Sequence, residues 1–228
     1  MKVELLHHTP LGVCSTAVRT CWDSHDKSDS ESIYSIGDKD LELIDRVGNK
    51  YKHGSTLEHI VFQFRIVGIS RACLQELARH RMASLSVKST RYTLKELKSE
   101  YEFPYRISMN RDDYGSIVVD SLTMARASKY IVITGNEKVD SASVAALENL
   151  RLNLVSGISN DIAKYSLPES YKTELVLTIN ARSLQNFMSL RTDKSALWEI
   201  RRLAMSMYDK LPDNCKILFD GCIHEEKK

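Results

Sequence analysis

The chain contains no CxxC pair, no glycine-rich GxGxxG turn, no apolar run near the roughly 20 residues that span a bilayer, and no excess of either charge. Each absence removes a class of protein. The cysteines, Cys14, Cys21, Cys73, Cys215 and Cys222, are five in number, and an odd set without paired spacing argues against a disulfide framework and against a zinc knuckle. Reduced thiols in a cytosol fit better. Without GxGxxG, no dinucleotide is held here by a Rossmann turn. With 32 basic against 30 acidic residues the net charge is only +2, so any basic function is local. The start, MKVELLHHTP, lacks the apolar core of a signal peptide, and the expectation is a soluble, cytoplasmic protein that does not engage a membrane. What is present is ordinary globular composition: 228 residues, 43% hydrophobic and 27% charged, enough for a sizeable core in a single domain spanning residues 1–228.

The pattern along the chain predicts an α/β (α+β) fold, a mixed sheet packed with helices plus a helical annex. Residues 2–7 suit an edge strand, and Thr9 with Pro10 is expected to open a short helix through Val18. DSHDKSDSES, residues 23–32, has almost no apolar content and reads as a solvated loop before an amphipathic helix at 40–47. IVFQFRIVGI, residues 60–69, is a largely buried strand, after which Ser70 caps a helix expected to fade near Ser84. Residues 93–135 carry no decisive period, and VVDSLTMARASKYIVI fits one helix or a helix followed by a strand. A helix is expected at 141–155, a turn at Pro168, a strand at 173–179 and helices at 181–190 and 195–210, before a frayed HEEKK tail.

RHRMASLSVKSTRY, residues 79–92, puts Arg79, His80, Arg81, Lys88 and Arg91 beside the hydroxyls of Ser84, Ser86, Ser89 and Thr90. Guanidinium forks, hydroxyls and loop amides together suit a phosphate. On a helix, Arg79, His80 and Arg81 would point about 100° apart and touch two different ligands, or a ligand and a neighbouring subunit, in place of a single phosphate. Two other readings stay open on charge alone. A basic helix end also complements its own dipole, and Lys88, Arg91, Lys95 and Lys98 extend a basic run, although Tyr92 is its only aromatic and single-strand binding favours more stacking platforms.

RHRMASLSVKS resembles the signature of flavin-dependent thymidylate synthases, Arg-His-Arg followed by seven residues and Ser. The resemblance implies FAD contacts at Arg79, His80, Arg81 and Val87. It implies dUMP contacts at Glu76, Arg79, Val87, Lys88, Ser89, Thr90 and Arg91. Glu76, Ser86 and Val87 depart from the family, which commonly has Gln at the first position and Asn and Glu at the other two. A carboxylate at 76 suits a uracil or ribose donor and is repelled by a phosphate.

NARSLQNFMSLR, residues 180–191, continues the resemblance. Its wheel sets Arg182, Gln185, Asn186 and Ser189 opposite Leu184, Phe187 and Met188, with Asn180 as N-cap. Arg191 falls over the apolar side, where a guanidinium must snorkel or find an anion. The family implies flavin contacts at Asn180, Arg182 and Asn186, and a catalytic Arg191 engaging the uracil. Lys164 stands where members often have a phosphate-binding Arg. KHGSTLEHIVFQF resembles the family segment with an active-site His, here His53, and a flavin-contacting Ser55, while Glu58 and His59 suit a structural pair.

The implied activity is reductive methylation of dUMP to dTMP, with methylenetetrahydrofolate as carbon donor, NADPH as reductant and FAD between them. The family also implies a homotetramer with active sites shared between subunits. Neither metal nor nucleic acid is expected.

Overall fold

The computed structural model describes residues 1–224, apart from the side chain of Asp113; residues 225–228, most of the tail expected to fray, lie outside the described residues. In chain order the strands and α-helices are β1 (Lys2–His8), α1 (Gly12–Cys21), α2 (Asp38–Ile44), β2 (Val61–Ser70), α3 (Arg71–Leu77), β3 (Ala83–Val87), α4 (Lys95–Lys98), β4 (Arg106–Ile107), β5 (Ile117–Val118), α5 (Ser121–Ala127), α6 (Glu137–Val155), α7 (Asn160–Ala163), β6 (Lys172–Asn180), α8 (Ala181–Arg191), α9 (Trp198–Asp209) and α10 (Asp213–Lys216). They form two compact units, one of residues 1–67, 75–86 and 175–228, the other of residues 68–74 and 87–174.

The first unit is built on a sheet of order β1-β2-β6-β3, so β1 is an edge strand as its position in the sequence suggests. β1 pairs antiparallel with β2, Val3 opposite Ile66 and Leu5 opposite Phe64, with a register irregularity between Leu5 and His7. The alternation of β2 buries Phe62, Phe64 and Ile66 completely. Burying each such side chain contributes about 1.5–3 kcal/mol, so this strand anchors the sheet. Helix α9 turns Ile200, Leu203, Ala204 and Met207 inward, and Leu211 closes the stripe.

Three expectations change here. Thr9 does not cap α1; its Oγ1 accepts the Val61 N–H at 3.1 Å, and the helix begins at Gly12. The 23–32 segment is exposed, as its polar composition suggests, but it is tethered. Ser28 and Ser30 both donate to the buried Asp40 carboxylate at 2.6 Å, and Asp29 accepts from the Lys39 and Asp40 amides of α2. The helix after Ser70 starts as expected, with Ser70 Oγ accepting the Cys73 N–H at 2.9 Å, but ends at Leu77. Ala83, Leu85 and Val87 recur with period two, and β3 joins the sheet beside β6 in place of a last helical turn.

The second unit centres on α6, whose Val144, Leu147, Leu150 and Leu154 pack with Leu94, Leu97, Phe103, Tyr130 and Ile131. α6 starts four residues before the expected Ser141, because Asn136 caps it at the Val139 N–H. Buried Asp140 then accepts from the amides of Thr134 and Gly135, tying the preceding turn to the helix. The patternless 93–135 stretch becomes short elements. Asp120 caps α5, the chain bridges at Ile131 to Tyr171, and β4 with β5 make a hairpin in which Gly115 takes φ +80°. Pro168 closes its turn through the Tyr171 N–H. Among the described residues no helix is long and apolar enough to cross a membrane.

Candidate active site

Within the first unit, the segment after α3 and the end of α8 bring Glu76, His80 and Arg191 together. Arg191 Nη1 lies 2.9 Å from Glu76 Oε2, its Nη2 donates to the Glu76 carbonyl at 3.3 Å, and its Nε donates to His80 Nε2 at 3.0 Å. The guanidinium placed by the wheel over the apolar side has found its anion. A ring nitrogen that accepts carries no proton, so His80 is neutral here with its proton on Nδ1. Burial, and next the Arg191 charge, push the His80 pKa below its ordinary 6.5. The ring is fixed edge-on against Phe187 at 4.9 Å. Because α3 has already ended, His80 is buried while Arg79 and Arg81 stay exposed; a turn closed by the His80 N–H on the Leu77 carbonyl, not a helical wheel, separates the three.

His80 and Arg191 line a cleft of about 600 Å³ with Glu58, Arg79, Arg81, Met82, Asn180, Arg182, Ser183, Asn186 and Leu190. Asn180 caps α8 as expected, its Oδ1 accepting the Ser183 N–H at 2.9 Å. Arg182 lies along the turn Gly54–His59 and ion-pairs with Glu58 at 2.6 Å. A Cβ at Gly54 would stand 2.8 Å from Arg182 Nε, so the glycine permits this close passage. Glu58 is therefore the partner of Arg182, not of His59 as the sequence suggested. Ser55 is exposed on the same turn. Gln185 faces elsewhere, donating to Asn49 and to the Leu218 carbonyl.

The remaining signature residues belong to the second unit. Val87 ends β3, and Lys88 N–H donates to Glu174 O at 2.8 Å, extending the strand pairing. Ser89 and Thr90 sit in the following turn, where the Ser89 carbonyl accepts from Tyr92 N–H and Thr93 Oγ1. Arg91 pairs with Asp161 at 2.6 Å, and Asn160 donates to the Arg91 carbonyl. The Arg91 guanidinium holds the Asp161 carboxyl below its ordinary value, with Lys164 a weaker contributor. Arg91 and Lys164 thus share one acidic neighbour on α7.

His53 does not line the arginine cleft. It borders a second cleft of about 370 Å³ in the first unit, with Arg19, Trp22, Lys27, Arg46 and Tyr51 among its walls. Trp22 and Tyr51 are 69% and 62% exposed, large aromatic faces left to solvent. The residues after them, Asp23 (φ +44°) and Lys52 (φ +54°), are the only non-glycine residues with left-handed backbone among the described residues. Such conformations are held at a cost and cluster at functional sites. A π-helical turn, Asp45–Lys50, carries Arg46 and Val47 into the same wall.

The sequence reading missed Glu58, Met82 and Leu190 in the first cleft, and Trp22 and Arg46 in the second. Met82 was recoverable: the alternation that turns Ala83 and Leu85 inward turns Met82 out, and it is 72% exposed.

The model of the family described as "Thymidylate synthase complementing protein" matches residues 4–215. A flavin-dependent thymidylate synthase of Campylobacter jejuni (strain RM1221) is 59% identical over 226 residues, covering 99% of both chains. One from Helicobacter pylori (strain ATCC 700392 / 26695) is 49% identical over 224 residues, covering 98% of this chain and 99% of the other. The crystal structure of thymidylate synthase X from Helicobacter pylori with FAD and dUMP matches at a TM-score of 0.87 with 48% identity, covering 99% of this chain and all of that one.

Proposed function

The chain belongs to the family of flavin-dependent thymidylate synthases, and from that membership and the arginine-lined cleft we propose that it converts dUMP to dTMP with FAD as cofactor. The carbon donor in this reading is 5,10-methylenetetrahydrofolate and the reductant NADPH. The balance is one methylene transferred to uracil C5 and one hydride that reduces it to the methyl level, with loss of the C5 proton. The cleft carries the reading. Four guanidiniums, Arg79, Arg81, Arg182 and Arg191, line it with one carboxylate, Glu58, beside Asn180, Asn186 and Ser183. That donor set fits a diphosphate, and the exposed side chains of Met82 and Leu190 offer apolar surface to a ring. The relative solved with FAD and dUMP supports the same assignment.

In this reading Arg79, His80, Arg81, Asn180, Arg182 and Asn186 hold the flavin, with Ser55 and Val87 at its margin. Bound there, FAD relays the methylene and supplies reducing equivalents, which no side chain can do. Lys88, Ser89, Thr90, Arg91 and Lys164 take the nucleotide. Arg191 is the catalytic cation: it stabilises negative charge developing on the uracil ring and so raises the nucleophilicity of C5 without covalent attack by the protein. Ser89 is hydrogen-bonded through its carbonyl, to Tyr92 N–H and Thr93 Oγ1, with no base on its hydroxyl among the described residues, and serves as a binding group.

The second cleft, with His53, is the proposed seat of a co-substrate. Folate and NADPH both carry flat rings and anionic groups, which Trp22, Tyr51, Lys27 and Arg46 suit. The protein acts as one domain, since the family model runs through both units. It assembles as a homotetramer with active sites shared between subunits in the cytoplasm; exposed Leu122, Leu152, Val155 and Ile162 supply apolar surface for a second copy.

The test is direct. Purified protein is expected to be yellow, to release FAD on denaturation, and to release tritium from C5-labelled dUMP only when methylenetetrahydrofolate and NADPH are present. Colourless protein that binds RNA with a steep salt dependence overturns the reading. Yellow protein without tritium release marks a flavoenzyme acting on another substrate.

A further inference from the structure

Arg191 is held by more than a surface ion pair. Each of its three guanidinium nitrogens has a partner: Nη1 the Glu76 carboxylate, Nη2 the Glu76 carbonyl and Nε the His80 ring. Two of the three are supplied by one residue. Arg191 and His80 line the arginine cleft, whereas Glu76 is not among its lining residues. Glu76 therefore acts on a ligand in that cleft through the guanidiniums it holds, Arg191 first. Its other oxygen, Oε1, reaches toward Arg79 Nη1 at 3.7 Å, so one carboxylate offsets two guanidiniums of the site.

We propose that Glu76 is a positioning residue, which fixes the Arg191 guanidinium in one orientation at the cleft wall and limits the positive charge that Arg191 presents there. This rests on the reading of Arg191 as the cation that acts on the uracil. It replaces the direct dUMP contact that the resemblance implied for position 76. A fixed donor needs no reorganisation when charge develops, which is where a pre-set guanidinium gains over a mobile one. The carboxylate also stabilises a proton on His80, in opposition to Arg191 and Arg79; the charged groups that bear on this ring are Arg191, Glu76 and Arg79, with the Phe187 edge as its apolar neighbour.

The experiment compares Glu76→Gln and Glu76→Ala with wild type as FAD-loaded enzyme, measuring kcat, KM for dUMP and the pH profile of kcat/KM. Glu76→Gln keeps an oxygen acceptor and the carbonyl but removes the charge. Arg191 then shows more charge to an anionic substrate while being less firmly aimed, so KM for dUMP falls and kcat falls with it. Glu76→Ala loses the side-chain hold entirely, and kcat drops by up to about 100-fold, the scale of a misplaced catalytic group. The acid limb of the profile moves to lower pH in Glu76→Gln, because His80 loses the charge that favoured its protonation. A merely structural residue would leave that limb in place. A raised KM with unchanged kcat in both variants marks a direct substrate contact and overturns the proposal, as does unaltered kinetics. If Glu76→Ala does not fold, Glu76→Gln alone decides by the same criteria. Arg191→Ala separates the two levels: if it keeps wild-type turnover, the reading of Arg191 fails; if it loses turnover while the Glu76 variants match wild type, only this inference fails.

Discussion

Arg19 Nε donates to Asp40 Oδ1 at 2.8 Å, joining α1 to α2 through a pair in which both side chains are almost fully buried. Asp40 also accepts from Ser28 and Ser30, so α1 and the 23–32 segment are both held by one carboxylate of α2. Burial alone raises the Asp40 pKa, but the hydrogen bonds from Ser28, Ser30 and Arg19 together outweigh it and leave the value below the ordinary 3.8. A depressed carboxylate contributes stability that is complete above its unfolded pKa and is lost as pH falls through the folded one. Asp40→Ala, which strands the Arg19 charge, is expected to cost about 3–5 kcal/mol in urea unfolding at pH 7. In Asp40→Asn the loss of stability on acidification below pH 3.8 should be shallower than in wild type. An equally steep acid limb in Asp40→Asn assigns that dependence to other groups.

Gly54 and Arg182 give a second prediction. In Gly54→Ala the new Cβ meets Arg182 Nε at 2.8 Å and Cδ at 2.9 Å, the flexible part of a long side chain. The chain should fold with a stability change within about 1 kcal/mol, since the arginine can move aside. It moves away from Glu58 and from the cleft, so FAD affinity is expected to fall about tenfold, the worth of one charge-assisted hydrogen bond. Flavin titration of the apoprotein measures this, and unchanged affinity would show that Arg182 does not hold FAD.

Arg191→Ala is expected to lower turnover about 100-fold or more at saturating substrates, the scale seen when a donor aimed at developing charge is removed. His80 then loses the cation beside it, and its pKa should rise toward the ordinary 6.5. An NMR titration of the ring follows this independently of activity. Wild-type dTMP formation in Arg191→Ala would exclude the catalytic role.

What the sequence made legible was chemistry carried by neighbours in the chain. Asn180 reads as an N-cap because its acceptor lies three residues away, and the α9 stripe reads as core because one helix face carries it. Arg191 over the apolar side of its wheel announced a need for an anion, although not which one. The losses were non-local. Thr9 bonds to a residue 52 positions on, and Glu58 to one 124 positions on, distances at which no local pattern operates. The helix expected to run to Ser84 stopped early because residues 77–87 carry two periods at once, and pairing with β6 decided for the strand. The 23–32 segment looked solvated because it is polar, yet its hydroxyls serve a buried carboxylate.

Arg91 pairs with Asp161 across the second unit, both side chains about half exposed. Such an exposed pair is screened by water and contributes little, so Arg91→Ala should leave the melting temperature nearly unchanged. Its proposed service to the nucleotide phosphate is worth more, and KM for dUMP is expected to rise at least about tenfold. Lys164→Ala should act in the same direction with a smaller effect, since an ammonium lacks the bidentate fork. If neither substitution changes KM, the phosphate lies elsewhere.

Trp22 and Tyr51 leave large ring faces exposed around the second cleft, each followed by a strained residue. Exposed aromatics held by strained backbone contribute little to folding, so Trp22→Ala is expected to change stability by about 0.5 kcal/mol or less. If the cleft seats a co-substrate ring, the same substitution removes a stacking face worth about 1–3 kcal/mol to a bound base, and KM for one co-substrate should rise about 5- to 150-fold. Steady-state kinetics with methylenetetrahydrofolate and NADPH varied in turn identify which one. KM for dUMP and the flavin content are expected to stay at wild-type values, because neither ligand is assigned to this cleft. A rise in KM for dUMP, with both co-substrates unaffected, would remove the second cleft from the catalytic cycle as read here.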